Sequence, residues 1–227
     1  MSDPVLLVVG AGPGVGASVA RRFGREGYDV ALLARSPQRL AALGEGLQAE
    51  GVTTGWSAVD ITDSAALTAA VERFGRHAGH LDVLHFNPST FRQADPLALS
   101  AEQLLDDVRL GVAPLLTVLQ AARAFLRPGA RLVATGSMAA DQPWHEAASL
   151  GVQKAALRNL VRSVDATLRD EGVRAVCVTV NGTLERGTAL DPDRVGDAIF
   201  DAVRQPEDAW RVEVAFPAGS GRESLRP

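Results

Sequence analysis

Four glycines lie at short intervals near the N-terminus, in the segment GAGPGVG. The apolar run Val5–Val9 precedes them, and a segment with helical periodicity follows them. Glycine permits a tight turn and lets the backbone approach a pyrophosphate, whose charge is met by the N–H groups and positive end of the following helix. Gly10, Gly12, Gly14 and Gly16 therefore indicate a dinucleotide-binding turn, with a plain packing turn as the alternative.

Short aliphatic runs alternate along the chain with longer amphipathic segments, which is typical of repeated strand–helix–strand units and a parallel sheet. We predict an α/β fold, a single Rossmann-type doubly wound parallel sheet of about seven strands with helices on both faces. The predicted strands are Val5–Val9, Val30–Ala34, Thr54–Val59, Val83–Phe86, Arg131–Thr135, Ala175–Val180 and Val212–Phe216. The predicted helices are Val15–Glu26, Gln38–Ala49, Ser64–Ala78, Ala101–Leu126, Glu146–Asp170 and Asp193–Val203.

No linker, internal repeat or change of composition divides residues 1–227, so we predict one domain, with residues 217–227 as a loose C-terminal tail. The net charge is −4 and the basic residues form no block, which argues against nucleic acid or a membrane surface as the main partner. A small molecule or nucleotide fits better. The start of the chain lacks the features of a signal peptide, so we expect a cytoplasmic protein. The single cysteine, Cys177, is expected to pack in a strand.

The spacing Gly10-x-x-x-Gly14-x-Gly16 is similar to that of the short-chain dehydrogenase/reductase family, and later landmarks of that family follow in order over almost the whole chain. The resemblance implies that this loop, Val15 included, binds a nicotinamide dinucleotide. Arg35 ends the second strand, where the family often carries an acidic residue for NAD or a basic residue for NADP. A guanidinium can bind a phosphate bidentately, so we predict NADP(H) rather than NAD(H), with a solvated arginine as the alternative.

Further positions follow from the same resemblance. Asp60 and Ile61, in AVDITD, would border the adenine, although Asp60 could be only a turn former and Asp63 a helix N-cap. Asn87, in FNPS, matches an asparagine of the loop that passes beneath the cofactor. Gly182 and Thr183, with Lys154, would hold the nicotinamide and its ribose; a surface lysine on an amphipathic helix is the alternative for Lys154.

The catalytic set of the family is incomplete in this chain. The family uses a serine, a tyrosine and a lysine, supported by an asparagine. Ser137 and Lys154 match the serine and lysine, whereas Leu150 stands at the tyrosine position and Arg109 at the asparagine position. The only tyrosine of the chain, Tyr28, is expected far from this site. Leucine has no proton to give, so the usual phenol-mediated carbonyl reduction cannot operate.

Other groups could replace the missing acid. His145 lies five residues before Leu150 and could reach a substrate oxygen directly or through water, and His85 ends the fourth strand. Either histidine could instead be only solvated or hydrogen-bonded. Arg109 could stabilise an oxyanion, or could serve only to balance the charges of the neighbouring Asp106 and Asp107.

The segment between Gly182 and the last helix is brief, because only Thr183–Leu190 occupy the place where the family commonly inserts a substrate lid. Met138, Pro143 and Trp144 are expected to form an apolar pocket wall, although Trp144 could equally be a packing residue. The apolar predicted helices Ala101–Leu126 and Glu146–Asp170 favour a homodimer or homotetramer, with a monomer as the alternative.

Two classes of function follow from the sequence. The first is an atypical NADP(H)-dependent oxidoreductase that acts on a small carbonyl or alcohol substrate. The second is a catalytically impaired protein that binds NADP(H) as a sensor or scaffold. A weaker third class is an isomerisation or dehydration that needs no external proton at this position.

Overall fold

A computed structural model, which describes residues 2–218, contains seven parallel strands in one sheet with the order β3-β2-β1-β4-β5-β6-β7. The strands are β1 (Val5–Val9), β2 (Asp29–Ala34), β3 (Thr54–Ala58), β4 (Leu81–Phe86), β5 (Leu126–Ser137), β6 (Arg174–Val180) and β7 (Glu213–Phe216). The helices are α1 (Val15–Gly24), α2 (Pro37–Ala49), α3 (Ser64–Ala78), α4 (Ala101–Gly111), α5 (Pro114–Ala122), α6 (Ala148–Leu168) and α7 (Pro192–Val203). The predicted doubly wound α/β fold is confirmed.

The strand order reverses at β1, which pairs with β2 on one side and with β4 on the other. In open parallel sheets the loops on the two sides of such a switch point diverge, and they leave a crevice at the carboxyl ends of the strands. The crevice therefore lies above the ends of β1 and β4, where the glycine segment and the FNPS segment begin.

Both faces of the sheet are covered by helices. Along β1, Leu7 and Val9 pack into one buried apolar cluster, and Leu6 and Val8 pack into the other. Successive side chains of a strand point to opposite faces, so a strand buried on both faces must be continuously apolar. Cys177 is buried within β6, as predicted.

The predicted helix Ala101–Leu126 is wrong as a single element. Pro114 has no N–H to donate, and Val112 departs from helical geometry with φ −134° and ψ −58°. The segment therefore divides into α4 and α5, and Leu126 already belongs to β5.

By length and composition alone, the segment Ala101–Phe125 is long and apolar enough to cross a membrane. In the structure, three residues of α5 are fully buried in the core, namely Leu115, Val118 and Ala122.

Other boundaries also differ from the prediction, most of them by one or two residues. Strand β5 starts several residues before the predicted Arg131 and ends two residues after the predicted Thr135, so Ser137 is the last residue of the strand. The predicted helix that started at Glu146 begins at Ala148. Of the predicted tail 217–227, residues 219–227 lie outside the described part of the chain.

Candidate active site

Two cavities meet at the carboxyl ends of the strands. The larger, of about 1080 Å³, lies along the glycine segment and the end of β2. The smaller, of about 730 Å³, lies between the end of β5, the start of α6 and the segment that follows β6. Asn87 and Ser89, on the loop after β4, line both cavities. One elongated ligand could therefore extend from the larger cavity into the smaller one.

The four glycines of the first turn have two different roles. Gly10 has φ +85°, and a Cβ on Gly16 would lie 2.7 Å from the carbonyl oxygen of Gly10. These two positions require glycine for the turn itself. A Cβ on Gly12 or Gly14 would meet no atom within 4 Å, so these residues border open space in the cleft. Gly14 is also the N-cap of α1 and gives the helix no side-chain cap, while Val15 lines the smaller cavity.

Arginines surround the far part of the larger cavity. Arg35 lines it, as the sequence predicted, and Arg39 from the first turn of α2 lines it as well. Arg21 and Arg186 complete the set; Arg21 is 3.0 Å from Glu50 in a salt bridge. The positive potential of these side chains favours an anionic ligand. The sequence reasoning missed Arg39, although its position just after the N-cap Ser36 was a usable signal.

Ile61 lines the larger cavity, but Asp60 does not. The Asp60 carboxylate accepts hydrogen bonds from the Thr62 backbone N–H at 2.9 Å and the Thr62 hydroxyl at 2.8 Å, and these bonds hold the pKa of Asp60 below its usual value. The structure therefore places Asp60 as a turn former rather than on the cleft wall. Asp63 caps α3 by accepting a hydrogen bond from the Ala66 N–H.

Asn87 connects β4 to the glycine turn. Its side-chain Nδ2 donates to the carbonyl oxygen of Gly10 at 3.1 Å, and its backbone N–H donates to Val9. Gly182 and Thr183, after β6, line the smaller cavity from the opposite side. The structure thus brings these predicted nucleotide-binding positions around one continuous cleft.

The serine and lysine positions also lie together in the smaller cavity. Ser137 Oγ accepts a hydrogen bond from the Ala139 N–H at 3.2 Å, which leaves its O–H free to donate to a ligand. Leu150 and Lys154 are one helical turn apart on α6, and both line the cavity. Leu150 presents an apolar side chain where a proton donor was expected from the family pattern.

Lys154 is not a surface lysine, because only 4% of it is exposed. Its Nζ donates to the carbonyl oxygens of Thr135 at 3.0 Å and Pro88 at 3.4 Å. Burial disfavours the charged amine and lowers the pKa of Lys154 to about 8. Lys154 is the only ionisable residue among those that line this cavity.

The predicted substitutes for the tyrosine do not lie at this cavity. His145 is exposed and outside the cavity lining. Arg109 is exposed on α4 and bonds Asp106 at 2.6 Å, which matches the charge-balance alternative. His85 is fully buried beneath the site, with Nε2 3.0 Å from the Thr135 hydroxyl, and burial lowers its pKa to about 3. His85 is therefore neutral and out of reach of a ligand.

The outer wall of the smaller cavity is apolar. Met138, Pro143 and Trp144 line it, as predicted. Phe91 and Leu184 join them, and the rings of Phe91 and Trp144 are 5.3 Å apart. Phe91 is 57% exposed and Trp144 46% exposed, so their faces are available to an apolar ligand at the mouth of the cavity.

A buried glutamine, which the sequence reasoning missed, holds the loop after β4. Gln153 Nε2 donates to the Thr90 carbonyl at 2.9 Å, and Gln153 Oε1 accepts from the Thr90 N–H at 3.3 Å. Arg92 on the same loop binds both carboxylate oxygens of buried Asp107 at 2.9 and 3.0 Å, which lowers the pKa of Asp107. These bonds fix the loop that carries Asn87 and Pro88.

Comparison with known proteins gives the affiliation of the chain. The model of the short chain dehydrogenase family matches residues 4–190. The chain belongs to this family. It is 28% identical over 226 residues to the A-factor type gamma-butyrolactone 1'-reductase (1S-forming) of Streptomyces virginiae, across 96% of this chain and 88% of that relative.

Two solved structures have the same fold. A short chain dehydrogenase of Burkholderia cenocepacia J2315, in complex with NADP, gives a TM-score of 0.85 at 25% identity, across 94% of this chain and 96% of that chain. A variant of actinorhodin polyketide ketoreductase with NADPH gives a TM-score of 0.88 at 20% identity, across 98% and 100% of the two chains.

The glycine assignment predicts different effects at two positions. Gly12→Ala places a methyl group in the open cleft, so we expect NADPH affinity to fall by about tenfold or more, with an unfolding free energy within about 1 kcal/mol of wild type. Gly16→Ala forces the methyl against a backbone oxygen and should destabilise the fold by about 2 kcal/mol. NADPH titration and urea unfolding measure both quantities. Unchanged NADPH affinity in Gly12→Ala would contradict the assignment.

Buried neutral His85 predicts acid sensitivity. Its pKa in the folded state, about 3, lies below the ordinary value near 6.5, so the unfolded chain binds the proton first as the pH falls. Stability should decrease by about 1.4 kcal/mol per pH unit between roughly pH 6 and pH 4 from this group alone. Urea unfolding across that range should show that the unfolding free energy of His85→Leu depends less steeply on pH than that of wild type. The control His77→Leu, at an exposed histidine, should keep the pH dependence of wild type. An equal pH dependence in His85→Leu and wild type would disprove the role of His85.

Proposed function

We propose that this protein is an NADP(H)-dependent oxidoreductase that acts on a small carbonyl or alcohol substrate. The observation that carries the proposal is the continuous cleft, with arginines and open glycines at one end and Ser137 beside Lys154 at the other. The family membership supports it, as do the reductase name of the Streptomyces relative and the NADP found in the Burkholderia structure.

The residues of the cleft fit NADP(H). Gly12 and Gly14 border open space where a pyrophosphate can approach the backbone and the positive end of α1. Within residues 2–218, neither Arg35 nor Arg39 forms a salt bridge, so both guanidinium groups can bind the additional phosphate that distinguishes NADP from NAD. The apolar Ile61 would contact the adenine.

The remaining residues would place the reacting end of the cofactor. Asn87 lines both cavities, Gly182 and Thr183 line the smaller one, and Lys154 would donate to the nicotinamide ribose. When bound, NADP(H) supplies or accepts a hydride. Ser137 has a free O–H that can donate to a substrate carbonyl oxygen and hold it in the smaller cavity. The apolar wall of Met138, Pro143 and Trp144 would exclude water from the reacting carbon.

Leu150 favours a second candidate function. Because this side chain gives no proton, the cleft could serve a catalytically impaired protein that binds NADP(H) as a sensor or scaffold. The two candidates share the nucleotide-binding residues and differ only in whether hydride transfer occurs. An experiment on the cofactor therefore tests what the two candidates share, and an experiment on position 150 tests the redox assignment on which they differ.

The first experiment tests the choice of cofactor. Arg35→Asp replaces a phosphate-binding cation by an anion, so we expect NADPH affinity to fall by about tenfold to a hundredfold while NADH affinity changes much less. Calorimetric titration with both nucleotides measures the ratio. Arg109→Asp is the matched control, because Arg109 is exposed and lies outside both cavities. An unaltered NADPH to NADH ratio in Arg35→Asp would rule out the phosphate role.

The second experiment restores the phenol. In Leu150→Tyr the hydroxyl would stand one turn before Lys154 and near Ser137, so NADPH-dependent reduction of ethyl pyruvate should rise by about a hundredfold. Leu150→Phe adds the ring without the hydroxyl and should show no gain. If Leu150→Tyr binds NADPH normally and shows no gain either, the redox assignment of the pocket is wrong and the sensor function is favoured.

A further inference from the structure

Lys154 is chemically unique in this chain. It is the only lysine of the sequence. The chain has 23 lysine and arginine residues in total, and the other 22 are arginines. A guanidinium stays protonated and cannot act as a nucleophile, whereas a buried amine can lose its proton. The one amine side chain of the sequence is therefore also the one buried beside the smaller cavity.

Lys154 has no ion pair that would keep it charged, within residues 2–218. The Cys177 thiol interacts with it, and burial raises the pKa of this thiol to about 11. His85 bonds the hydroxyl of Thr135, whose carbonyl oxygen accepts from Lys154, and burial lowers the pKa of His85 to about 3. Both groups are uncharged between pH 7 and pH 8. With its own pKa lowered to about 8, roughly a tenth of Lys154 is a neutral amine at pH 7.

The hydrogen bonds of Lys154 orient that neutral amine. Its Nζ donates to the carbonyl oxygens of Thr135 and Pro88, which can use both hydrogens of an NH₂ group. The lone pair then occupies the remaining tetrahedral direction, away from both carbonyl oxygens. Lys154 lines the smaller cavity, so a molecule held there lies next to this side chain.

We propose that Lys154 is a nucleophilic amine that captures small aldehydes and ketones as a Schiff base in the smaller cavity. This goes beyond the proposed function, because it requires neither NADP(H) nor hydride transfer. Lysines desolvated in apolar pockets are known to act in this way on carbonyl compounds. Leu150, Met138 and Trp144 supply the apolar lining, and Ser137 supplies a donor to the carbonyl oxygen.

The step conserves atoms and charge. The Nζ lone pair forms a bond to the carbonyl carbon, and the carbonyl π pair moves to the oxygen, which takes a proton. The proton comes from the nitrogen, which gives a carbinolamine with one N–H and one O–H. The carbon–oxygen bond then breaks, and the hydroxyl group leaves with the second nitrogen proton as one water molecule. The product is an imine between Nζ and the former carbonyl carbon, and water reverses the reaction.

Reductive trapping tests the inference directly. The folded wild-type protein is treated with propanal and sodium cyanoborohydride at pH 8, and propylated sites are located by peptide mass spectrometry. The chain offers two amines, Lys154 and the α-amine of its terminus, whose ordinary pKa is also close to 8. The two have similar neutral fractions, so the α-amine is an internal standard. We expect Lys154 to be propylated at a rate within about tenfold of that standard.

Two controls show whether both amines can react and whether the label is on Lys154. In guanidinium-unfolded protein both amines should react, and Lys154→Arg should be propylated at the α-amine alone. A rate at Lys154 more than about tenfold below the α-amine in the folded protein, with both labelled after unfolding, would overturn the inference. NADPH titration of the same preparation tests the proposed function separately, since nucleotide binding can persist or fail independently of labelling.

Discussion

Lys154 is held by two backbone carbonyls, one at the end of β5 and one on the loop after β4, and it forms no salt bridge with a carboxylate of residues 2–218. A buried amine without a counter-ion is costly, and it persists only where rigid acceptors are supplied by the surrounding fold. Here β5 supplies one acceptor, and Gln153, the neighbour of Lys154 on α6, fixes the loop that supplies the other. Residues of β5, of the loop after β4 and of α6 therefore position this nitrogen, and Lys154 lines the smaller cavity.

The reversal of strand order at β1 places the proposed nucleotide cleft next to this nitrogen. The glycine turn leaves β1 in one direction and the FNPS loop leaves β4 in the other, and Asn87 joins them through Gly10. The arginines at the end of β2 and on α2 then give the far part of the cleft its positive charge. The topology thus aligns an anion-binding region and a buried amine along one groove.

Most of the sheet could be predicted from the sequence because parallel strands buried on both faces appear as continuous apolar runs. The division of α4 from α5 was missed, although Pro114 gave the signal. Arg39 was also missed, although its position after the N-cap Ser36 gave a signal. Gln153 was missed for a different reason, since its role depends on which side of α6 meets a distant loop. His145 and His85 were considered as acids and Arg109 as an oxyanion stabiliser from their positions in the sequence, which do not reveal exposure or burial.

The most direct test of the account is a crystal structure of the protein with NADP⁺. The account predicts the pyrophosphate over Gly12 and Gly14, the additional phosphate at Arg35 and Arg39, and the nicotinamide ribose within hydrogen-bond distance of Lys154 Nζ. A nucleotide bound elsewhere, or one whose ribose lies away from Lys154 with the smaller cavity closed by side chains, would contradict it.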